Sequence, residues 1–178
     1  MASLFRSRQG NDLSLAYQLS CWYRNFFLLF LLLCLPVALH ATPLHLNKPD
    51  AGDTCPVCGM FVSKYPEWLA TIQYHDGHLH HFDGAKDLFK GLQQPQKWLG
   101  GRDHTQIEAI GVTEYYGLTL IDAKSAFFVI GSDQLGPMGH ELIPLATQQE
   151  AEEFLKDHQG KAILRFDEVT PEVIQRLD

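Results

Sequence analysis

The chain has 178 residues, 46% hydrophobic and 20% charged, a composition that builds one or two small folded units and excludes a disordered polypeptide. Its 14 Lys and Arg stand against 21 Asp and Glu, a formal charge of −7, and no basic run is long enough to follow a phosphate backbone, which excludes nucleic acid as a partner. Four Cys are too few for a disulfide-built miniature domain, and they fall into unlike groups: Cys21 and Cys34 near the start, Cys55 and Cys58 as a close pair.

Residues 1–41 read as an export signal or membrane anchor. Arg6, Arg8 and Arg24 precede an unbroken apolar run, FFLLFLLLCL, which Pro36 and a small-residue exit ending at Ala41 follow. The run is short for a membrane-spanning helix, which points to cleavage near Ala41; Cys34 offers a lipidation site, although Leu33 stands where a small residue normally precedes the lipidated Cys. The expected location is outside the cytoplasm, with this segment offering a membrane tether. In that oxidising compartment Cys55 and Cys58 pair as a disulfide unless a metal, a partner or a reductant intervenes.

Residues 42–66 form a linker that carries the cysteine motif, and two units follow, over 67–112 and 113–178. In the first, residues 68–75 (WLATIQYH) have a strand pattern, Asp76-Gly77 is a two-residue hairpin turn, and 78–82 return as the partner strand. Asp83 then sits as the N-cap of a helix with Ala85, Leu88, Phe89 and Leu92 at helical spacing, ended by Gly91 and Pro95; residues 106–113 are the next strand. The second unit repeats the order. Residues 114–121 and 126–130 are strand-like, Thr147-Gln148-Gln149-Glu150 is a capping box that opens a helix running to His158, and 162–166 close as a strand. The fold class expected is α+β, two tandem ββαβ units, each a small, mainly antiparallel sheet with one helix.

The chemistry concentrates at Asp53-Thr54-Cys55-Pro56-Val57-Cys58-Gly59-Met60. Thiolate and thioether are soft ligands and select a soft d10 ion such as Cu(I), and Gly59 permits the tight turn that aims Cys58 and Met60 at one point. A zinc site needs a second ligand pair and a redox site a thioredoxin-like surround, and neither accompanies this motif. The only other methionine beyond Met1 is Met138, in the Gly- and Pro-rich stretch 131–140, where no helix stripe or strand alternation makes it a core filler. His140, beside it, is a candidate fourth or exchanging ligand, and Cys55 a less certain thiol ligand. With Asp76-Gly77 as the turn, His75 faces His78 and His80 lies on the same face, three imidazoles able to hold Cu(II) or Zn(II).

These residues resemble a known family, the nitrous-oxide-reductase accessory lipoproteins called NosL. The features that carry the resemblance are Cys58-Gly59-Met60, FDGAKDLF over 82–89, and FFVIGS over 127–132 running into Gly136-Pro137-Met138-Gly139; the likeness extends over roughly 53–169. It implies a periplasmic Cu(I)-binding metallochaperone, not an enzyme. The carrier supplies copper for assembling the copper centres of nitrous-oxide reductase and works with that enzyme and its maturation machinery. The family's soft ligands carry over to Cys58, Met60 and Met138. The implied fold, two ββαβ domains, is similar to part of organomercurial lyase with no such activity implied. The sequence departs from the pattern in having Cys55 and a poor lipidation box. Two other readings remain open: a thiol-disulfide oxidoreductase using Cys55 and Cys58, and a YHS-like metal-binding module, whose later Cys pattern is missing here.

Overall fold

The computed structural model describes residues 43–178; the export segment over 1–41 lies outside them. Among the described residues no helix is long and apolar enough to cross a membrane.

Strand β1 (Ala70–Tyr74) is the centre of a hairpin with β2 (Leu79–Phe82) and pairs on its other side with β3 (Ile107–Thr113), which in turn pairs with β4 (Leu120–Asp122). The resulting four-stranded antiparallel sheet runs β2-β1-β3-β4, so β2 is an edge strand. Helix α1 (Ala85–Gln93) and the single turn α2 (Pro95–Trp98) lie between β2 and β3 in the chain. The apolar stripe of α1 expected from its spacing is buried, with Leu88 wholly enclosed and Phe89 and Leu92 nearly so.

The second sheet runs β8-β5-β9, built from β5 (Phe127–Ile130), β8 (Ile143–Leu145) and β9 (Ala162–Leu164), all antiparallel. A small hairpin of β6 (Leu135–Gly136) and β7 (Gly139–His140) projects between β5 and β8. Helix α3 (Gln148–Asp157) covers this sheet, and its start is the capping box expected: Thr147 Oγ1 accepts from Glu150 N–H while the Glu150 carboxylate accepts from Thr147 N–H. The α+β class and the two ββαβ units are thus realised.

The continuous apolar run in β5 has a structural cause, because successive strand residues face opposite sides and both sides of β5 are covered. Phe128 enters the main core, where it meets Phe89 edge-on at 5.3 Å, while Val129 enters a smaller core with Ile143, Leu145 and Phe154 beneath α3. The main core therefore spans both units, and each fully buried ring in it contributes about 1.5–3 kcal/mol of burial free energy. A short C-terminal helix, α4 (Pro171–Gln175), returns to pack on α1 through Val173 and Ile174.

Four local expectations are corrected. The β1–β2 loop has three residues, not two: Tyr74 N–H bonds His78 O, and His75, Asp76 and Gly77 form the loop with Gly77 at φ +82°. Asp76 causes this, since its carboxylate accepts from His78 N–H at 3.0 Å and pairs with Arg102 at 2.8 Å. Asp83 does not cap α1, whose N-cap is Gly84, and α1 runs through Gly91 to Gln93 because the missing Cβ there lets Phe82 and Leu99 close on the helix. Residues 114–119 are a turn, held where the Glu114 carboxylate accepts from Tyr116 and Gly117 N–H; only Leu120–Asp122 is strand, and it closes the first sheet. The second sheet instead takes β8 as its edge, a position where Pro144, which has no N–H to give, is tolerated.

Candidate metal centre

The Cys55–Met60 loop is closed by its own backbone. Cys55 N–H bonds Met60 O at 2.8 Å, Gly59 N–H bonds Cys55 O at 2.8 Å, and Thr54 bridges Phe61 at the base. Gly59 takes φ +78°, a conformation that an L side chain strains to adopt, and this turn brings both thiols to one side. That side is the N-terminus of α1. Cys58 Sγ lies 3.2 and 3.4 Å from the two Asp83 oxygens, and Cys55 Sγ lies 3.4 Å from Asp87 Oδ2. One donor atom each from Cys55, Cys58, Asp83 and Asp87 falls within 4.8 Å of all the others. Both cysteines are free thiols.

Burial and charge hold those thiols protonated in the metal-free protein. The Cys58 thiol is pushed up to about 11, first by burial, with the Asp83 carboxylate adding to it against a hydrogen bond from Met60 N–H. Cys55, 1% exposed, is raised much further, again chiefly by burial, with Asp83 and Asp87 contributing. A cation reverses this balance, since the two carboxylates that oppose a thiolate attract a positive ion.

Cys58 is half-buried and opens on a hollow of about 620 Å³ whose wall includes Asp87, Lys90, Trp98, Met138 and Ile174. Met138 belongs to the second unit. It stands 44% exposed in the tight turn between β6 and β7, where Gly139 at φ +84° completes the reversal. The structure thus brings Met138 to the hollow of Cys58 across 80 positions of chain. Met60, half-buried at the closing end of the cysteine loop, and His140, exposed on β7, both lie outside the walls of the hollow.

Sequence reasoning missed the residues that tie this turn to α1. Lys86, 3% exposed, donates from Nζ to Met138 O at 3.0 Å and to Leu177 O at 3.2 Å, so one buried ammonium fixes both the Met138 turn and the C-terminus. Glu141, equally buried, accepts from Lys86 N–H and Leu142 N–H and supplies the helix cap that Asp83 does not. Its carboxylate fits only because Gly84 has no side chain.

Burial lifts the Glu141 carboxyl from 4.5 to about 8, against the hydrogen bonds and the Lys86 charge that lower it. A group whose pKa is raised on folding binds its proton more tightly in the native state, so its contribution is full below about 4.5 and is lost as pH rises through about 8. Thermal melts should therefore fall in Tm from pH 7 to 8.5, above the range in which the buried His80 and His81 add stability as pH rises. Glu141→Gln should flatten that slope; equal slopes in the two proteins would show Glu141 ionised throughout.

Two ββαβ units sharing one core, with a dithiol and dicarboxylate cluster beside a hollow walled in part by a methionine, define a small α+β protein whose side chains are grouped to hold a metal ion. Residues 46–174 match the NosL family, and the chain belongs to it. The copper-binding lipoprotein NosL of Stutzerimonas stutzeri is 29% identical over 141 residues, which span 79% of this chain and 68% of that protein. The crystal structure of the copper chaperone NosL from Shewanella denitrificans superposes with a TM-score of 0.60 at 26% identity, over 74% of this chain and 99% of that one. Both relatives are described by copper binding or carriage and neither by catalysis.

Proposed function

We propose that the protein is an exported copper carrier. It holds Cu(I) through the Cys58 thiolate with the Met60 and Met138 thioethers and passes it to a copper-receiving enzyme, in the first place nitrous-oxide reductase with its maturation machinery. The observation that supports this most is the position of Met138, the one thioether of the second unit, on the wall of the hollow onto which Cys58 opens. Thiolate and thioether together suit a soft monovalent ion, and thiolate plus Cu(I) is neutral, which lowers the cost of holding the ion in a partly buried site. The proton leaving Cys58 has an acceptor at hand in Asp83, whose oxygens lie 3.2 and 3.4 Å from the sulfur. The half-open hollow leaves room for a recipient's ligand to approach the ion. Relatives described as a lipoprotein and a chaperone support export and carriage, with the N-terminal segment as the tether.

The cluster of Cys55, Cys58, Asp83 and Asp87 favours a second reading, a divalent ion such as Zn(II) on two sulfurs and two oxygens. Use of the cysteine pair as a redox enzyme is opposed by the chemistry of the site, because a reactive thiol needs a lowered pKa and both thiols here are raised.

A titration of the reduced protein with Cu(I) against a competing chelator, with Zn(II) in parallel, separates the readings. Met138→Leu keeps the volume and removes the sulfur. It should weaken Cu(I) binding about tenfold and leave Zn(II) binding unchanged, a loss of about 1.4 kcal/mol. Unchanged Cu(I) affinity in this variant, or zinc bound as tightly as copper in the parent, would reject the cross-unit copper site.

A further inference from the structure

The three-residue β1–β2 loop removes His75 from the face on which the sequence placed it and leaves two imidazoles together. His78 is exposed at the start of the edge strand β2 and His80 is half-buried two residues along, so both project from the same side. Their rings cross at 88° with centroids 4.5 Å apart, and His78 Nε2 lies 3.2 Å from His80 Nδ1. Among the described residues each ring's nitrogens bond only to the other ring; His80 Nε2 and the neighbouring Tyr74 hydroxyl are buried without a partner. Native proteins rarely leave such atoms unpaired, so the corner's polar groups are not committed to holding the fold.

We propose that His78 and His80 form a second metal site, a chelating imidazole pair for Cu(II), separate from the thiol centre. The geometry supplies the reason. Two imidazole nitrogens about 2.0–2.1 Å from one metal ion and about 100° apart stand about 3.2 Å from each other, which is the separation found here. One proton lies between the two nitrogens in the free protein, and replacing it by a metal ion gives each nitrogen a lone-pair partner. The exposed side of His78 leaves the remaining coordination positions to water.

Arg102, which lies over the Tyr74 ring at 4.8 Å, is paired with the Asp76 carboxylate at 2.8 Å. Borderline imidazole ligands bind divalent Cu(II) more tightly than Ni(II) or Zn(II), whereas the thiols prefer the monovalent ion. The site therefore takes the oxidised metal that the thiol centre does not.

The test uses the Cys55→Ser/Cys58→Ser variant, which removes both thiols of the loop so that Cu(II) is neither reduced nor bound by a thiolate there. Should that variant not fold, the wild-type protein already loaded with Cu(I) replaces it. One equivalent of Cu(II) should bind with an electron paramagnetic resonance spectrum that shows coupling to two imidazole nitrogens. His78→Asn and His80→Gln should each weaken binding by about tenfold or more, and His75→Asn should leave it unchanged. Cu(II) binding that survives both substitutions, or that is lost instead with His75→Asn or His45→Asn, would overturn the assignment.

Discussion

Cys58→Ser is expected to lower Cu(I) affinity by about a thousandfold or more, about 4 kcal/mol, while Cys55→Ser costs no more than about tenfold. The two cysteines share a loop and differ in access. Cys58 is half-buried and opens on the hollow that Met138 walls, whereas Cys55 is 1% exposed, points to Asp87, and carries the thiol that is harder to ionise. Removing Cys58 leaves thioethers as the only soft ligands on the open side, and neutral sulfurs cannot offset the charge of the ion. Removing Cys55 takes away a buried thiol but keeps the accessible thiolate. Chelator competition on the two reduced variants reads the difference directly. Equal and large losses from both would move the ion inward onto two thiolates, and retention of tight binding by the Cys58 variant would remove the thiol centre as the copper site.

The parts of this site that the sequence showed plainly are the local ones. A Cys-x-x-Cys-Gly-Met run reports its own geometry, because the ligand spacing and the Gly that turns the chain lie within six residues, and the loop closes through their backbone. The start of α3 was equally plain, since both halves of a capping box stand in one four-residue stretch. Asp83 and Asp87 were hidden for the opposite reason. Asp83 has an adequate local role as a helix cap, and only the distant Glu141 takes that role away and leaves Asp83 facing Cys58. A signal did stand in the sequence: two acids and a lysine fall inside the apolar stretch 82–89, all of which the structure buries.

Similar competition between local and long-range terms explains the strands. Asp-Gly is a strong two-residue hairpin signal, but a side chain that accepts from the backbone two positions on can enlarge the loop, as Asp76 does through His78 N–H. That single added residue changed which histidines meet. Strand β8 is short and contains Pro144, so its pattern carries no strand signal; the structure makes it an edge strand with Pro144 opposite Phe128, a position where proline is tolerated. Met138 could be singled out by its surroundings, yet its approach to Cys58 depends on the Lys86 ammonium that grips its carbonyl, a contact 52 positions apart in sequence.

Oxidation of the cysteine pair should abolish Cu(I) binding and be prevented by it. The Cys55 and Cys58 sulfurs lie within 4.8 Å of one another on a loop built around a glycine turn, so a modest rotation brings them to bonding distance. Treatment with diamide, a two-electron thiol oxidant, forms one S–S bond, releases the two thiol protons and reduces the diazene to the hydrazine. Among the described residues the product has no thiolate to offer, and their sulfurs are then a disulfide and two neutral thioethers, so affinity should fall by about a thousandfold or more. Cu(I) bound beforehand ties up Cys58 and should slow disulfide formation in proportion to occupancy. Thiol counting with and without one equivalent of Cu(I), followed by chelator competition on the oxidised protein, measures both effects. Oxidised protein that keeps its copper affinity, or copper-loaded protein that oxidises as fast as the free form, would show that the ion is held elsewhere than at Cys58.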